Sequence, residues 1–375
     1  MNVPRFLRAT PVGAMALALT FAILVGGATG RQTAAHAALD RSDPPATAVL
    51  AVSPAQISLW FTEPLEHSYS KAELFDQSGQ ALPGAKSRPG QGDKALVIDL
   101  AAPLANGTYS VVWQTLSNAD GHTAQAYFAF SVGTQAAVEA VAPPTATTTG
   151  GVPLWLRSAS RWAAFLGLAA AVAVWPVWVL VLRPAISPAW QAGPMLTRRV
   201  RRLAGYAFAL AFAGNLFALL VQAATLPSGG LATKVVDTVT DTRYGRLWGL
   251  RLILLGVWGV ALTLVAWWWP RRRPWGTAIA LALSAALPLP VSLNAHASAL
   301  TMGRTAAIAF DVAHLLAASL WVGGLFLLVG ALMPTMRDLT AEGRRTVLAP
   351  ALPRFSALAF VASGLPGLTG LYSPW

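Results

Sequence analysis

Two hydrophobic periods divide the chain. Across residues 39–132 apolar positions recur in short alternating runs bounded by turn residues, as in Gln56-Ile57-Ser58-Leu59-Trp60-Phe61 and Ala95-Leu96-Val97-Ile98-Asp99-Leu100. Alternation with a period of two predicts half-buried strands, and similar runs at 71–75, 107–115 and 123–132 predict three more. Turns are expected at Gln77-Ser78-Gly79 and Asn106-Gly107. Strands of this length and spacing predict an all-β sandwich or a small Greek-key barrel. Further on the period disappears into six long apolar stretches, at about 163–182, 203–226, 247–269, 276–293, 305–332 and 355–372. Each is long enough for a helix to cross about 30 Å of hydrocarbon, so this half predicts a polytopic α-helical membrane domain.

The ends and joins refine that division. Arg5 and Arg8 followed by the apolar stretch 11–27 and then by small residues read as a secretory signal peptide. In Thr33-Ala34-Ala35-His36, cleavage after Ala35 makes His36 the new amino terminus, whereas the overlapping small-x-small site Ala35-His36-Ala37 would remove it, and an uncleaved anchor is the third alternative. Residues 136–153, rich in Pro, Thr and Ala, read as a linker. The expected order is signal peptide 1–35, β-domain 36–135, linker 136–153 and membrane domain 154–375.

Composition then excludes several classes. A mean hydropathy of +0.53 with 11% charged residues rules out a purely soluble globule. The formal net charge of +12 does not point to nucleic acid, because the arginines cluster between apolar stretches. Arg183 with Arg198-Arg199-Val200-Arg201-Arg202, Arg271-Arg272-Arg273, and Arg337 with Arg344-Arg345 occupy the first, third and fifth gaps. Cationic gaps stay in the cytoplasm, so the β-domain is expected outside. Cysteine is absent, which removes disulfides, thiolate metal sites and thiol nucleophiles.

Histidine is scarce, with five in the chain. A terminal His36 would offer the α-amine and Nδ1 as a two-nitrogen chelate suited to Cu(II). Asp120-Gly121-His122 joins two predicted strands, and residues i and i+2 of extended chain project to the same side, so both side chains could face one ion. The alternative is plain Asp-Gly hairpin chemistry with His122 exposed beside it.

Several motifs carry a resemblance. His36-Ala37-Ala38-Leu39, Ser42-Asp43-Pro44-Pro45, Leu59-Trp60-Phe61-Thr62-Glu63-Pro64, Gly107-Thr108-Tyr109 with Trp113, and Ser117-Asn118-Ala119-Asp120-Gly121-His122 occur in the order found in the CopC family of periplasmic copper-binding proteins, which this part of the chain resembles. The resemblance implies a cupredoxin-like β-barrel that binds Cu(II) through His36, Asp120 and His122, with Glu63 close by as an outer group orienting the ligands. Some CopC-like proteins also hold Cu(I) in a methionine-rich loop; the β-domain here has no methionine, so that second site is not expected. His67 matches no ligand position and is expected at the surface.

In the membrane half, Asp311 and His314 lie three apart on one predicted helix face, and His296 ends the preceding span on the same side. Ionisable groups inside a bilayer usually face the bundle interior or an aqueous path, so the three form an outward-facing candidate metal cluster; the alternative is that Asp311 and His314 bond to each other or to neighbouring helices purely for packing. Pro288 and Pro290 should break the span leading to His296 and free backbone carbonyls that need partners. Asn215 and Gln222 mark a polar stripe on the second span. Thr242-Arg243-Tyr244-Gly245 through Trp248 and Arg251, Asn294-Ala295-His296-Ala297, Asp311-Val312-Ala313-His314-Leu315-Leu316 with Trp321-Val322-Gly323-Gly324, and Arg354-Phe355-Ser356 resemble the CopD copper-resistance membrane family. That resemblance implies copper movement across the inner membrane. Members commonly continue with further helices beyond Thr369-Gly370, so either the chain is a fragment or a partner supplies the rest. Trp321-Val322-Gly323-Gly324 is expected to serve close helix packing.

The expected function is copper acquisition by a multi-pass protein of the bacterial inner membrane with its N-terminal domain outside, and no catalysis is expected. Its expected partners are the copper ion, the bilayer and a helper membrane or reductase protein. Two other readings compete: a terminal-histidine copper oxygenase, against which Asp120 would occupy the position oxygen needs, and a haem-binding electron-transfer protein using paired histidines.

Overall fold

The computed structural model describes residues 37–119, 121–133, 152–186, 192–226, 229–267, 274–295, 298 and 303–372. The expected signal peptide, most of the expected linker, and the candidate ligands His36, Asp120 and His296 lie outside these residues.

The first half is a sandwich of two four-stranded sheets. One sheet runs in the order β1 (Leu39–Asp43), β3 (Gln56–Phe61), β6 (Ala95–Leu100), β5 (Ala85–Pro89); the other runs β2 (Val49–Leu50), β8 (Thr123–Val132), β7 (Gly107–Leu116), β4 (Lys71–Phe75). The inward faces supply Ile57, Leu59, Leu96 and Ile98 from one sheet and Leu74, Val111, Trp113 and Phe130 from the other, all buried. Burying each such side chain contributes about 1.5–3 kcal/mol, which is why the alternation was legible. Trp113 sits between Phe61 at 6.4 Å and Phe128 at 5.9 Å and locks the two layers together. The strands that alternation did not reveal are β1, β2 and β5. Both β1 and β5 are sheet edges carrying charged residues, and β2 is two residues long, so none has a clean apolar face to announce it.

Six helical spans follow that are long and apolar enough to cross a membrane: Leu154–Ile186, Ala192–Ala224, Arg243–Leu264, Trp275–Ser292, Arg304–Arg337 and Ala341–Ser363. We label the helices α1 (Leu154–Ile186), α2 (Ala192–Ala224), α3 (Leu231–Asp241), α4 (Arg243–Trp267), α5 (Pro274–Ala286), α6 (Leu289–Ser292), α7 (Arg304–Arg337) and α8 (Ala341–Tyr372). The fourth span breaks between α5 and α6 at Leu287 and Pro288, where the proline pair was expected to break it. Near their C-terminal ends α1 and α7 each widen into a π-turn, Trp178–Leu182 and Leu328–Leu332. Each π-turn ends two residues before a proline, Pro184 or Pro334, whose ring would clash with the carbonyl of a regular turn.

Small residues let the helices approach. A Cβ on Gly214 of α2 would lie 2.7 Å from the Ala163 backbone of α1, and one on Gly323 of α7 would lie 2.6 Å from the Ala173 Cβ of α1. The amphipathic α3, which short length and mixed charge hid in the sequence, packs so tightly on α4 that a Cβ on Gly245 would strike the Thr238 carbonyl.

Candidate metal centre

The β7–β8 hairpin ends in a turn built on Ser117. Its N–H donates to the His122 carbonyl at 2.8 Å, and its carbonyl accepts from Gly121 N–H at 3.0 Å. The Ser117 hydroxyl accepts from Ala119 N–H at 3.1 Å and donates to Glu63 Oε2 at 2.7 Å. Ser117 and Glu63 are both buried. The carboxylate therefore sits directly behind the turn that carries His122.

The beginning of the described chain is fastened to the same place. Ala37 is fully buried, and its carbonyl accepts from the Thr115 hydroxyl at 3.3 Å. Ala38 N–H donates to Thr62 Oγ1 at 3.2 Å, and Thr62 N–H donates back to the Ala38 carbonyl at 3.0 Å. Thr62 precedes Glu63, and Thr115 pairs across the hairpin with Ala124, two residues past His122. His36 and Asp120 themselves lie outside the described residues. Among the described residues no three His, Asp or Glu side chains gather as a metal-holding group.

This end of the sandwich is seated on the helices. At the N-terminus of α4, Arg243 N–H donates to Glu66 Oε1 at 2.8 Å, so a β-domain carboxylate satisfies an otherwise open helix donor. The Arg243 guanidinium donates to the Asn118 carbonyl at 3.2 Å and to the Leu293 carbonyl at 2.8 Å. Gly121 has φ +73° and packs 3.3 Å, measured from a notional Cβ, from the Tyr244 ring, while its carbonyl accepts from Gln222 Nε2 at 2.5 Å. Tyr69 donates its hydroxyl to Asp241 Oδ2 at 3.3 Å, and burial together with Asp241 and Asp237 pushes that phenol up to about 12. His122, half-buried, receives the guanidinium of Arg161 from α1 at its Nε2.

Beneath the turn lies a cavity of about 280 Å³ among α1, α2, α4 and the α5–α6 break. Its polar lining includes Arg157, Arg161 and Arg251, with Tyr244, Gln222 and Asn215; Leu168, Leu255 and Leu287 form an apolar floor. The described lining carries no carboxylate. Carbonyls at the C-terminal end of α6 are taken by arginines, Pro290 by Arg251 at 3.3 Å and Leu293 by Arg243. The expected polar stripe of Asn215 and Gln222 faces this cavity.

Asp311 and His314 are half-buried on α7 and stand apart from the cavity lining. Asp311 Oδ2 is enclosed without a hydrogen-bond partner. The Ser292 hydroxyl donates to the Ile308 carbonyl at 3.2 Å, which brings the end of α6 to the turn of α7 just before Asp311. His67, expected at the surface, is half-buried with Nδ1 enclosed, because Glu66 and Tyr69 on either side draw this segment toward the helices. Sequence reasoning did not single out Arg157 and Arg161. The signal was there: they are cations at the N-terminal end of the first span, opposite the end where Arg183 and the arginine run 198–202 cluster.

Comparison with known proteins agrees with the motifs. A family model described as the CopC domain matches residues 39–133. The copper transport protein CutJ of Bacillus subtilis (strain 168) is 26% identical over 355 residues, covering 90% of this chain and 60% of that protein, so the chain spans about three fifths of that relative. Copper resistance protein C of Xanthomonas campestris pv. juglandis is 34% identical over 122 residues, 31% of this chain and 94% of that protein. The crystal structure of PcoC, a methionine-rich copper resistance protein from Escherichia coli, aligns at 36% identity over 26% of this chain and 98% of that one, with a TM-score of 0.24.

Proposed function

Because the chain belongs to the CopC family, we propose that it captures Cu(II) outside the inner membrane and passes it to the helical domain for uptake. In this reading residues 36–135 form the exported copper domain, 136–153 the linker and 154–375 a CopD-like membrane domain. His36, Asp120 and His122 bind the ion, with Glu63 orienting the turn, and His296, Asp311 and His314 receive it. The reading is supported above all by the fastening of Ala37 and Ala38 to Thr115 and Thr62, near Glu63 and the His122 turn. The enclosed Asp311 oxygen and the approach of α6 to α7 support the second site. No turnover is required, and the relatives above are named for copper transport or resistance.

Mass spectrometry of the mature protein should find His36 first, and calorimetry of the full chain should find one Cu(II) bound outside. Affinity should fall with acidity, because amine and imidazole must lose protons to bind. Adding one residue before His36 should weaken binding; an unchanged affinity would reject the terminal chelate. Cellular copper content should drop in His296→Ala and His314→Ala, and unchanged accumulation in both would remove the membrane route.

A further inference from the structure

Polar atoms from both sides of the seat converge on the side chain of Arg243. In the sandwich its guanidinium donates to the Asn118 carbonyl at 3.2 Å and to the Ala119 carbonyl at 3.4 Å, which precede the candidate ligands Asp120 and His122 in the chain. In the bundle it donates to the Leu293 carbonyl at 2.8 Å and to the Ser298 hydroxyl at 3.4 Å, residues that flank His296 in the chain. The buried Ser298 hydroxyl closes the circuit by donating to the Ala119 carbonyl at 3.4 Å. Leu293 caps the short helix α6, whose last carbonyls have no partner within the helix, so their donors come from other segments.

The turn has its own internal support. Ser117 fixes it through the His122 carbonyl, the Gly121 N–H and the Glu63 carboxylate. Contact between α4 and α6 also has a second support, because Arg251, about 12 Å further along α4, reaches the Pro290 carbonyl at 3.3 Å. What Arg243 adds is register between turn and helix end: a planar fork bonds both at fixed angles, which a flexible ammonium does not. Resting on the copper reading above, we propose that Arg243 is a positioning residue for the hand-over, keeping the 117–122 turn aligned with the end of α6. A guanidinium has no lone pair to give a metal, so it acts through the segments it joins.

The test uses the full chain and reads two quantities: copper accumulation in cells at matched protein level, against cells without the gene, and Cu(II) affinity of the purified protein by chelator competition. Arg243→Gln should keep the affinity within about twofold, because the Ser117 bonds remain, and should lower accumulation at least about tenfold, since small misplacements of groups that must meet slow a step steeply. Arg243→Lys should not restore it, because an ammonium lacks the fork. Arg88→Gln on the edge strand β5 should change neither quantity. Should Arg243→Gln fail to reach the membrane, Arg243→Lys and Ser298→Ala, which removes one arm of the link, give the same split. Accumulation equal to the unaltered chain overturns the proposal and leaves the uptake reading standing. Affinity lost in step with accumulation overturns it too, because Arg243 then serves capture itself. No accumulation by the unaltered chain sinks the uptake reading and the proposal with it.

Discussion

The guanidinium of Arg161, on α1, rests against Nε2 of His122 in the β-sandwich. A guanidinium only donates, so Arg161 occupies the Nε2 position that a metal ion would use. A cupric ion that takes Nε2 must displace Arg161, and an arginine that returns would help to expel it.

Arg161→Ala removes that competitor. The full chain should then bind Cu(II) about tenfold more tightly, equivalent to about 1.4 kcal/mol and close to the worth of a hydrogen bond to a charged group. Chelator competition measures it, and an unaltered affinity would show that the arginine does not contest the metal's nitrogen.

Ser117→Ala takes from Glu63 the hydroxyl that donates to Oε2 in a buried setting. Loss of such a donor costs about 1–3 kcal/mol, so the thermal midpoint of the chain should fall. Glu63→Gln keeps the shape and removes the charge; weaker copper binding with the midpoint retained would assign Glu63 an electrostatic part.

Gly121→Ala meets two obstacles, a positive φ of +73° and the Tyr244 ring 3.3 Å from the new Cβ. The left-handed conformation alone costs roughly 1–2 kcal/mol for a residue with a Cβ. Hydrogen exchange at 117–122 should accelerate while the strands of the sandwich keep their protection. Equal protection of the turn in both proteins would contradict the seating described above.

Arg243→Ala severs the bonds to Asn118 and Leu293 but leaves the backbone donor to Glu66. Exchange at Asn118 and Ala119 should rise, and cross-linking between the turn and α2 should drop. If both stay at their original level, the guanidinium does not hold the domains together.

Tyr69 supplies a pH test. Its folded-state value of about 12 lies above the ordinary 10.0, so its bond to Asp241 contributes fully below pH 10 and is lost as pH rises through 12. Phenolate absorbance should show a late-ionising tyrosine that Asp241→Asn brings down. Ionisation of Tyr69 near 10 would mean that this contact does not form.

Much of this architecture was readable from local pattern. Strands β3, β4, β6 and β8 begin and end where alternation placed them, because each has one face in the core and one in water. The six spans followed from apolar length, and the break at Pro288 from a missing donor. Edge strands β1 and β5 and the short helix α3 escaped, since charge on a solvated surface obeys no period. Within the candidate site, Glu63 stood out only through family resemblance; its burial against Ser117 links residues 54 positions apart.

By itself, then, the sequence determined the two kinds of domain, the number of spans and the short list of histidines and carboxylates suited to a metal, because hydrophobic period and residue chemistry act within a few residues. Only the tertiary structure decided that Arg161 reaches His122, that Arg243 clasps the turn, and that Arg157 and Arg251 share one cavity. Those meetings depend on how the sandwich seats on the bundle, and packing between distant segments leaves no local periodic trace.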